Sequence, residues 1–286
     1  MLARVFVSWG LIVFMATGPL WAQSDDAGLE LRGSAGASRE IQDSEAAVTR
    51  HSAGVAFFFR DWRLQYTGDH FTWDEADRLA SGTQTPWQRL HTLGAHWSHR
   101  DRFNARWGWF ARFGATASFE EEIDRSVQAS AGGGLDYAFS SQWSLSVGAG
   151  TAVHPLRWRV LPLASLNWRP QSTSGWTARI GVPRTAITYR WNAGWSLGAD
   201  LQRHNRLSRL ADDNGLVPSG YAEIEGWSLG PVLRWQGEKG WRLTCSPRYH
   251  FGTDYTVYGP DGDKKHTWET DTGWSIQAGI RYQLQP

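Results

Sequence analysis

From Trp274 to Leu284, apolar and polar residues alternate with a period of two. Trp274, Ile276, Ala278, Ile280, Tyr282 and Leu284 fall on one face of an extended chain, and Ser275, Gln277, Gly279, Arg281 and Gln283 on the other. Such a strand suits the wall of a barrel in lipid, with its apolar face toward hydrocarbon and its polar face toward a wet interior. The same parity recurs upstream. Trp195, Leu197, Ala199 and Leu201 alternate with Ser196, Gly198, Asp200 and Gln202, and Trp143, Leu145, Val147 and Ala149 with Ser144, Ser146, Gly148 and Gly150. Stretches 227–235 and 241–251 repeat it. Several strands also begin alike, as in Gln142-Trp143-Ser144-Leu145, Gly194-Trp195-Ser196-Leu197, Gly226-Trp227-Ser228-Leu229, Gly240-Trp241-Arg242-Leu243 and Gly273-Trp274-Ser275-Ile276. In each, a Gly or polar residue makes the turn and an indole sits where a strand enters a membrane interface. The intervals are irregular, which disfavours a soluble propeller, whose blades repeat at a fixed period.

The alternation and its turns predict strands over 29–38, 50–59, 62–73, 87–99, 105–118, 127–139, 143–153, 158–168, 176–182, 185–190, 195–204, 221–235, 241–251 and 274–284. The fold class is therefore all-β: a single antiparallel transmembrane β-barrel of about fourteen strands. Twelve is the alternative, because Gly181-Val182-Pro183-Arg184 interrupts two segments that are short for a membrane crossing. Every second connection is brief, such as Arg60-Asp61 and Ser140-Ser141-Gln142, whereas several on the other side are long and polar. Short turns belong to the periplasmic side and long loops to the outside, so both chain ends are expected in the periplasm.

Composition supports this reading. The 286 residues include 19 Trp, 8 Tyr, 12 Phe and 31 Gly but only 2 Met and 1 Cys. Rings with one polar edge settle at lipid–water boundaries, so abundant Trp and Tyr fit a chain that crosses that boundary many times. A mean hydropathy of −0.46 excludes a bundle of membrane-spanning helices. Met1 to Ala22 has Arg4, an apolar run from Val5 to Met15 and a small-residue end, the order of an export signal. Cleavage after Ala22 is expected, leaving residues 23–286 as the barrel domain. Cys245 has no partner for an internal disulfide, and the formal net charge of +1 says nothing about partners. Nothing in the sequence points to nucleic acid.

The C-terminal run Gln277-x-Gly279-x-x-Tyr282-x-Leu284 resembles the assembly signal of outer-membrane barrels. That resemblance implies recognition by the barrel-assembly machinery, although the usual terminal Phe is replaced by Gln285-Pro286. The runs Leu161-Pro162-Leu163, Trp168-Arg169-Pro170, Ile180-Gly181-Val182-Pro183, Tyr189-Arg190 and Trp195-Ser196-Leu197-Gly198 are similar to those of an uncharacterised family of Gram-negative outer-membrane, porin-like barrels. The resemblance implies the fold and a place in the outer membrane among its lipids and lipopolysaccharide. It supplies no catalytic or ligand residues.

Candidate chemistry then rests on the inward face. Parity assigns Arg63, Arg112, Arg159, Arg179, Arg234, Arg242, Arg248 and Arg281 to the lumen, against few acids, chiefly Asp69, Asp136 and Asp200. An arginine-lined pore favours anions, which predicts a passive channel for small anionic or polar solutes. The competing readings are a non-conducting barrel whose guanidiniums brace the interior, or one that binds an external ligand. An outer-membrane hydrolase is disfavoured, since His250 and Ser246 lie roughly 13 Å apart along one strand. His91 and His96 face opposite sides, which argues against a shared metal ion, and no cofactor is predicted. Gly132-Gly133-Gly134 and Gly148-Ala149-Gly150 lie inside strands, not phosphate loops. The acidic runs Glu120-Glu121-Glu122, Asp212-Asp213-Asn214 and Asp261-Gly262-Asp263 are expected as solvated outer loop tips.

Overall fold

The alternating segments pair side by side into one closed antiparallel sheet. In the computed structural model, which describes residues 27–79, 85–170 and 172–284, the wall consists of β1 (Ala27–Gly36), β3 (Ala47–Phe59), β4 (Trp62–Asp74), β5 (Arg89–Arg102), β6 (Trp107–Phe119), β7 (Val127–Ala138), β8 (Trp143–His154), β9 (Arg157–Trp168), β10 (Gly175–Val182), β11 (Arg184–Arg190), β12 (Trp195–Arg209), β13 (Tyr221–Gln236), β14 (Trp241–Tyr258) and β16 (Gly273–Gln283). Two short strands, β2 (Arg39–Glu40) and β15 (Lys264–Thr270), extend it on the loop side. Each wall strand pairs with its sequence neighbour in the wall, and β1 pairs with both β3 and β16, closing a 14-strand barrel. Fourteen strands therefore stand and twelve do not: β10 and β11 pair as a hairpin joined by Pro183. The expected export signal and Gln285-Pro286 lie outside the described residues.

The outward faces carry the membrane pattern. Leu29, Leu31, Val55, Phe57, Leu64, Val147, Ile180, Leu197, Leu229 and Ile276 are exposed, as only a surface that meets hydrocarbon tolerates. Near the short turns an aromatic girdle forms from cross-strand pairs: Trp107 with Tyr137, Trp143 with Trp168, Trp176 with Tyr189, Trp195 with Trp235 and Trp241 with Tyr282, with ring centroids 4.6–6.5 Å apart. Trp227 marks the other boundary on β13. The eight steps from Trp227 to Trp235, at about 3.3 Å each and a tilt near 40°, span roughly 20 Å, close to the apolar band of an outer-membrane barrel.

Beyond that boundary the alternation persists but its polarity reverses. On β13 the outward Trp227, Leu229 and Leu233 give way to Glu225 and Glu223, while the inward Ser228 and Arg234 give way to Ile224 and Ala222. The register between β13 and β14 shifts at Glu225/Trp227, and Gly252 opposite takes a positive φ of 53°. This bulge bends the tall ends of β12, β13 and β14 inward. β12 leaves β11 after Gln202, and its far end bridges Arg209 to Phe119 of β6, on the opposite side of the ring. The extension thus forms a flap across the mouth. Beneath it Phe71, Trp87, Leu90, Ile224, Tyr255 and Val257 pack into a buried apolar plug against β3, β4 and β5. The rim opposite is low, since His154 and Arg157 are separated by two residues and β10 and β11 have only 8 and 7.

The flap corrects the sequence reading at the tall rim. Residues 205–209 and 252–258 continue β12 and β14, and 264–270 forms β15 where a loop was expected. The acidic runs are also not all solvated tips. Glu120 accepts hydrogen bonds from the Ala211 amide (3.0 Å) and Asn214 Nδ2 (2.9 Å), and Arg209 is ringed by Glu122, Asp124 and Asp212.

Candidate functional site: the arginine-lined lumen

Each wall strand has room for one inward side chain in every two, and arginine takes many of those places. The predicted Arg63, Arg112, Arg159, Arg179, Arg234, Arg242, Arg248 and Arg281 all lie on inward faces, as do Asp69, Asp136 and Asp200. Arg32, Arg50, Arg100, Arg184 and Arg206 join them, although the sequence reading passed over them. Parity marks Arg50 and Arg184 as inward, whereas Arg206 lies on the flap extension beyond the expected end of β12.

The arginines gather around buried carboxylates. Asp69, 2% exposed, takes Arg50 of β3 at 2.8 Å, Arg206 from the flap, and the Ser52 hydroxyl, so one acid ties the flap to the far wall. Asp200, also 2% exposed, is held between Arg184 and Arg248. Asp136 pairs with Arg100 at 2.9 Å and accepts a hydrogen bond from Ser146 at 2.5 Å. Toward the short turns, Glu30 pairs with Arg32, and Arg63 and Arg281 lie 4.8 and 4.2 Å from the centre of the Phe58 ring. Arg100 and Arg112 stack similarly on Phe110. A guanidinium on an aromatic face stays charged and ordered without consuming a carboxylate.

Charge is left over. Among the described residues, Arg112, Arg179, Arg234 and Arg242 have no carboxylate within ion-pair distance, and two arginines share each of Asp69 and Asp200. Glycine shapes the wall opposite. The inward Gly132 and Gly150 leave the space that the Leu163 side chain fills, and a Cβ on Gly134 would collide with the backbone of β8.

Histidines and serines pair between strands, and Ser246 and His250, too far apart along one strand, take other partners. His250 Nε2 lies 2.8 Å from Ser275 Oγ, and His204 Nε2 lies 2.6 Å from Ser228 Oγ. Ser246 instead donates to the Pro231 carbonyl. Neither imidazole has a carboxylate partner among the described residues, so the orienting acid of a hydrolytic triad is not assembled around either. His91 bonds Tyr66 on the outer face, and His99 bonds Asp61 near the short turns.

The four residues expected to form an assembly signal, Gln277, Gly279, Tyr282 and Leu284, sit at the seam. β16 joins β14 to β1, with Gln277 opposite Ser34 and Gly279 opposite Arg32 facing inward, Tyr282 against Trp241 outward with the two rings tilted, and Leu284 exposed.

A closed antiparallel wall with an apolar outer belt, an aromatic girdle and a charged lumen defines a transmembrane β-barrel, porin-like in architecture. Its similarity to solved barrels is distant. An outer-membrane channel from Pseudomonas putida F1 aligns with a TM-score of 0.47 at 8% identity, over 92% of this chain and 97% of that one. The NanC porin aligns at 0.40 and 11%, over 90% and 100%. The KdgM porin aligns at 0.36 and 8%, over 90% and 99%. No protein-family model and no curated protein matches the chain. The fold rests on the chain's own strand pairing.

Proposed function

We propose that this barrel is a passive outer-membrane channel for small anionic or polar solutes, with its arginine-rich lumen setting the preference for anions. The observation that carries this reading is the arginine surplus. Arg112, Arg179, Arg234 and Arg242 face the lumen without a carboxylate partner among the described residues, and low-dielectric walls focus the field of such charges along a pore. The reading is non-enzymatic. Its outer belt contacts outer-membrane lipid, its rim meets lipopolysaccharide, and Gln277, Gly279, Tyr282 and Leu284 serve the barrel-assembly machinery. The test is reconstitution of the refolded barrel in planar bilayers. Anion-selective conductance is expected, and absence of conductance or cation selectivity would overturn the reading.

The plug and the buried ion pairs favour a second reading, in which the same arginines brace a closed barrel. On that reading the reconstituted barrel is silent, and truncating the plug residues leaves it silent.

A further inference from the structure

The flap touches the low rim through one carboxylate. Glu223, on the outward face of the β13 extension, is only 5% exposed. It receives both terminal nitrogens of Arg157, one of them at 2.7 Å, together with Arg159 Nη2 at 3.2 Å, Asn205 Nδ2 at 2.5 Å and the Tyr258 hydroxyl at 2.9 Å. Those donors come from β9, β12 and β14. An ionised carboxylate has about four lone-pair sites, so Glu223 is saturated. The Arg157 pair is bidentate, the geometry that distinguishes a carboxylate from a spherical anion. The two arginine side chains keep 24% and 16% of their surface open to water, whereas Glu223 keeps 7%. These donors therefore form a carboxylate-binding cluster that keeps some access to water and is filled by a residue of the chain itself.

We propose that Arg157, Arg159, Asn205 and Tyr258 form the outer recognition site for the carboxylate group of the transported solute, and that Glu223 is its internal stand-in. This deepens the channel reading, on which it rests for the occupant. A solute carboxylate displaces Glu223, and the displacement frees the flap from β9, widening for the solute an opening that an ion as small as chloride passes without it. Entry then runs between flap and low rim, on the side away from the apolar plug. A solute lacking a carboxylate finds the same donors occupied and gains nothing by competing for them.

Acetate is the probe. In Glu223→Ala barrels refolded in detergent, acetate is expected to raise the midpoint of heat-induced loss of the compact gel form saturably, by roughly 3–6 °C. Chloride at equal ionic strength is expected to have no such effect, and Arg157→Gln and Arg159→Gln added to Glu223→Ala are expected to abolish the response. An equal response to both salts, no acetate response, or a response that survives loss of both arginines would overturn the proposal. Should the alanine variant not assemble, Glu223→Gln keeps the side chain's shape and carries the same comparison with the same criteria. Micelle binding requires no conduction, so the two readings fail separately. A barrel that binds acetate here but never conducts sinks the channel alone, whereas an anion-selective barrel without the acetate response sinks only this site.

Discussion

Asp200 shows what a single inward acid does in this lumen. Its carboxylate is buried between Arg184 and Arg248, and both guanidiniums lose their counter-charge if it is removed. Breaking a buried pair from one side leaves charge that neither water nor protein compensates, at a cost of about 3–5 kcal/mol. Asp200→Ala should lower the stability of the refolded barrel by about that amount, read from urea titration in micelles by tryptophan fluorescence. A change below about 1 kcal/mol, the range of exposed pairs, would show that water reaches and screens the cluster. Glu120, in the connection after β6, behaves in the opposite sense. Burial drives its carboxyl above the ordinary value of 4.5, against the hydrogen bonds it accepts from the Ala211 amide and Asn214. Folding therefore tightens its proton, and its contribution to stability is present below pH 4.5 and lost as pH rises through the raised value. The stability difference between wild type and Glu120→Gln should shift across that window in the Gln variant's favour as pH rises, and a flat difference would contradict the assignment.

At the scale of the strand, β16 allows recognition to be separated from fold. A Cβ added at Gly279 would meet the Leu31 carbonyl oxygen at 3.5 Å, an ordinary contact, so the wall itself accepts alanine there. Gly279→Ala should refold from urea into detergent as wild type does, yet accumulate less as folded barrel in cells if this residue belongs to the assembly signal. Equal accumulation in cells would remove Gly279 from that role. Strands were also the most legible level of the sequence. Parity and Trp-marked turns identified all fourteen wall strands, including the short hairpin around Pro183, because lipid on one side and water on the other impose a strict period of two. The same rule hid the flap. Above the membrane the outward face becomes polar and the inward face apolar, as Glu223 and Ile224 show, so an unbroken strand reads as the end of one pattern. Ion-pair partners were less legible still, since Arg206 and Asp69 are 137 residues apart and meet only because the flap crosses the mouth.

For the whole molecule, the ring closure of β1 on β16 and the chord from β12 to β6 divide the mouth into two sectors. One sector of the mouth is sealed by the apolar plug. The other is bounded by the low rim and held by Glu223 on Arg157 and Arg159. Below both lies a lumen in which arginines outnumber carboxylates. On the proposed channel reading, selectivity is a property of the uncompensated lumenal charge, whereas access is a property of the flap. The reversal potential of single barrels in a planar bilayer under a potassium chloride gradient separates the two most directly. Wild type should reverse on the chloride side of zero, and Arg179→Gln combined with Arg234→Gln should move that potential toward zero. A cation-selective reversal potential, or one that the double substitution leaves unchanged, would contradict the account.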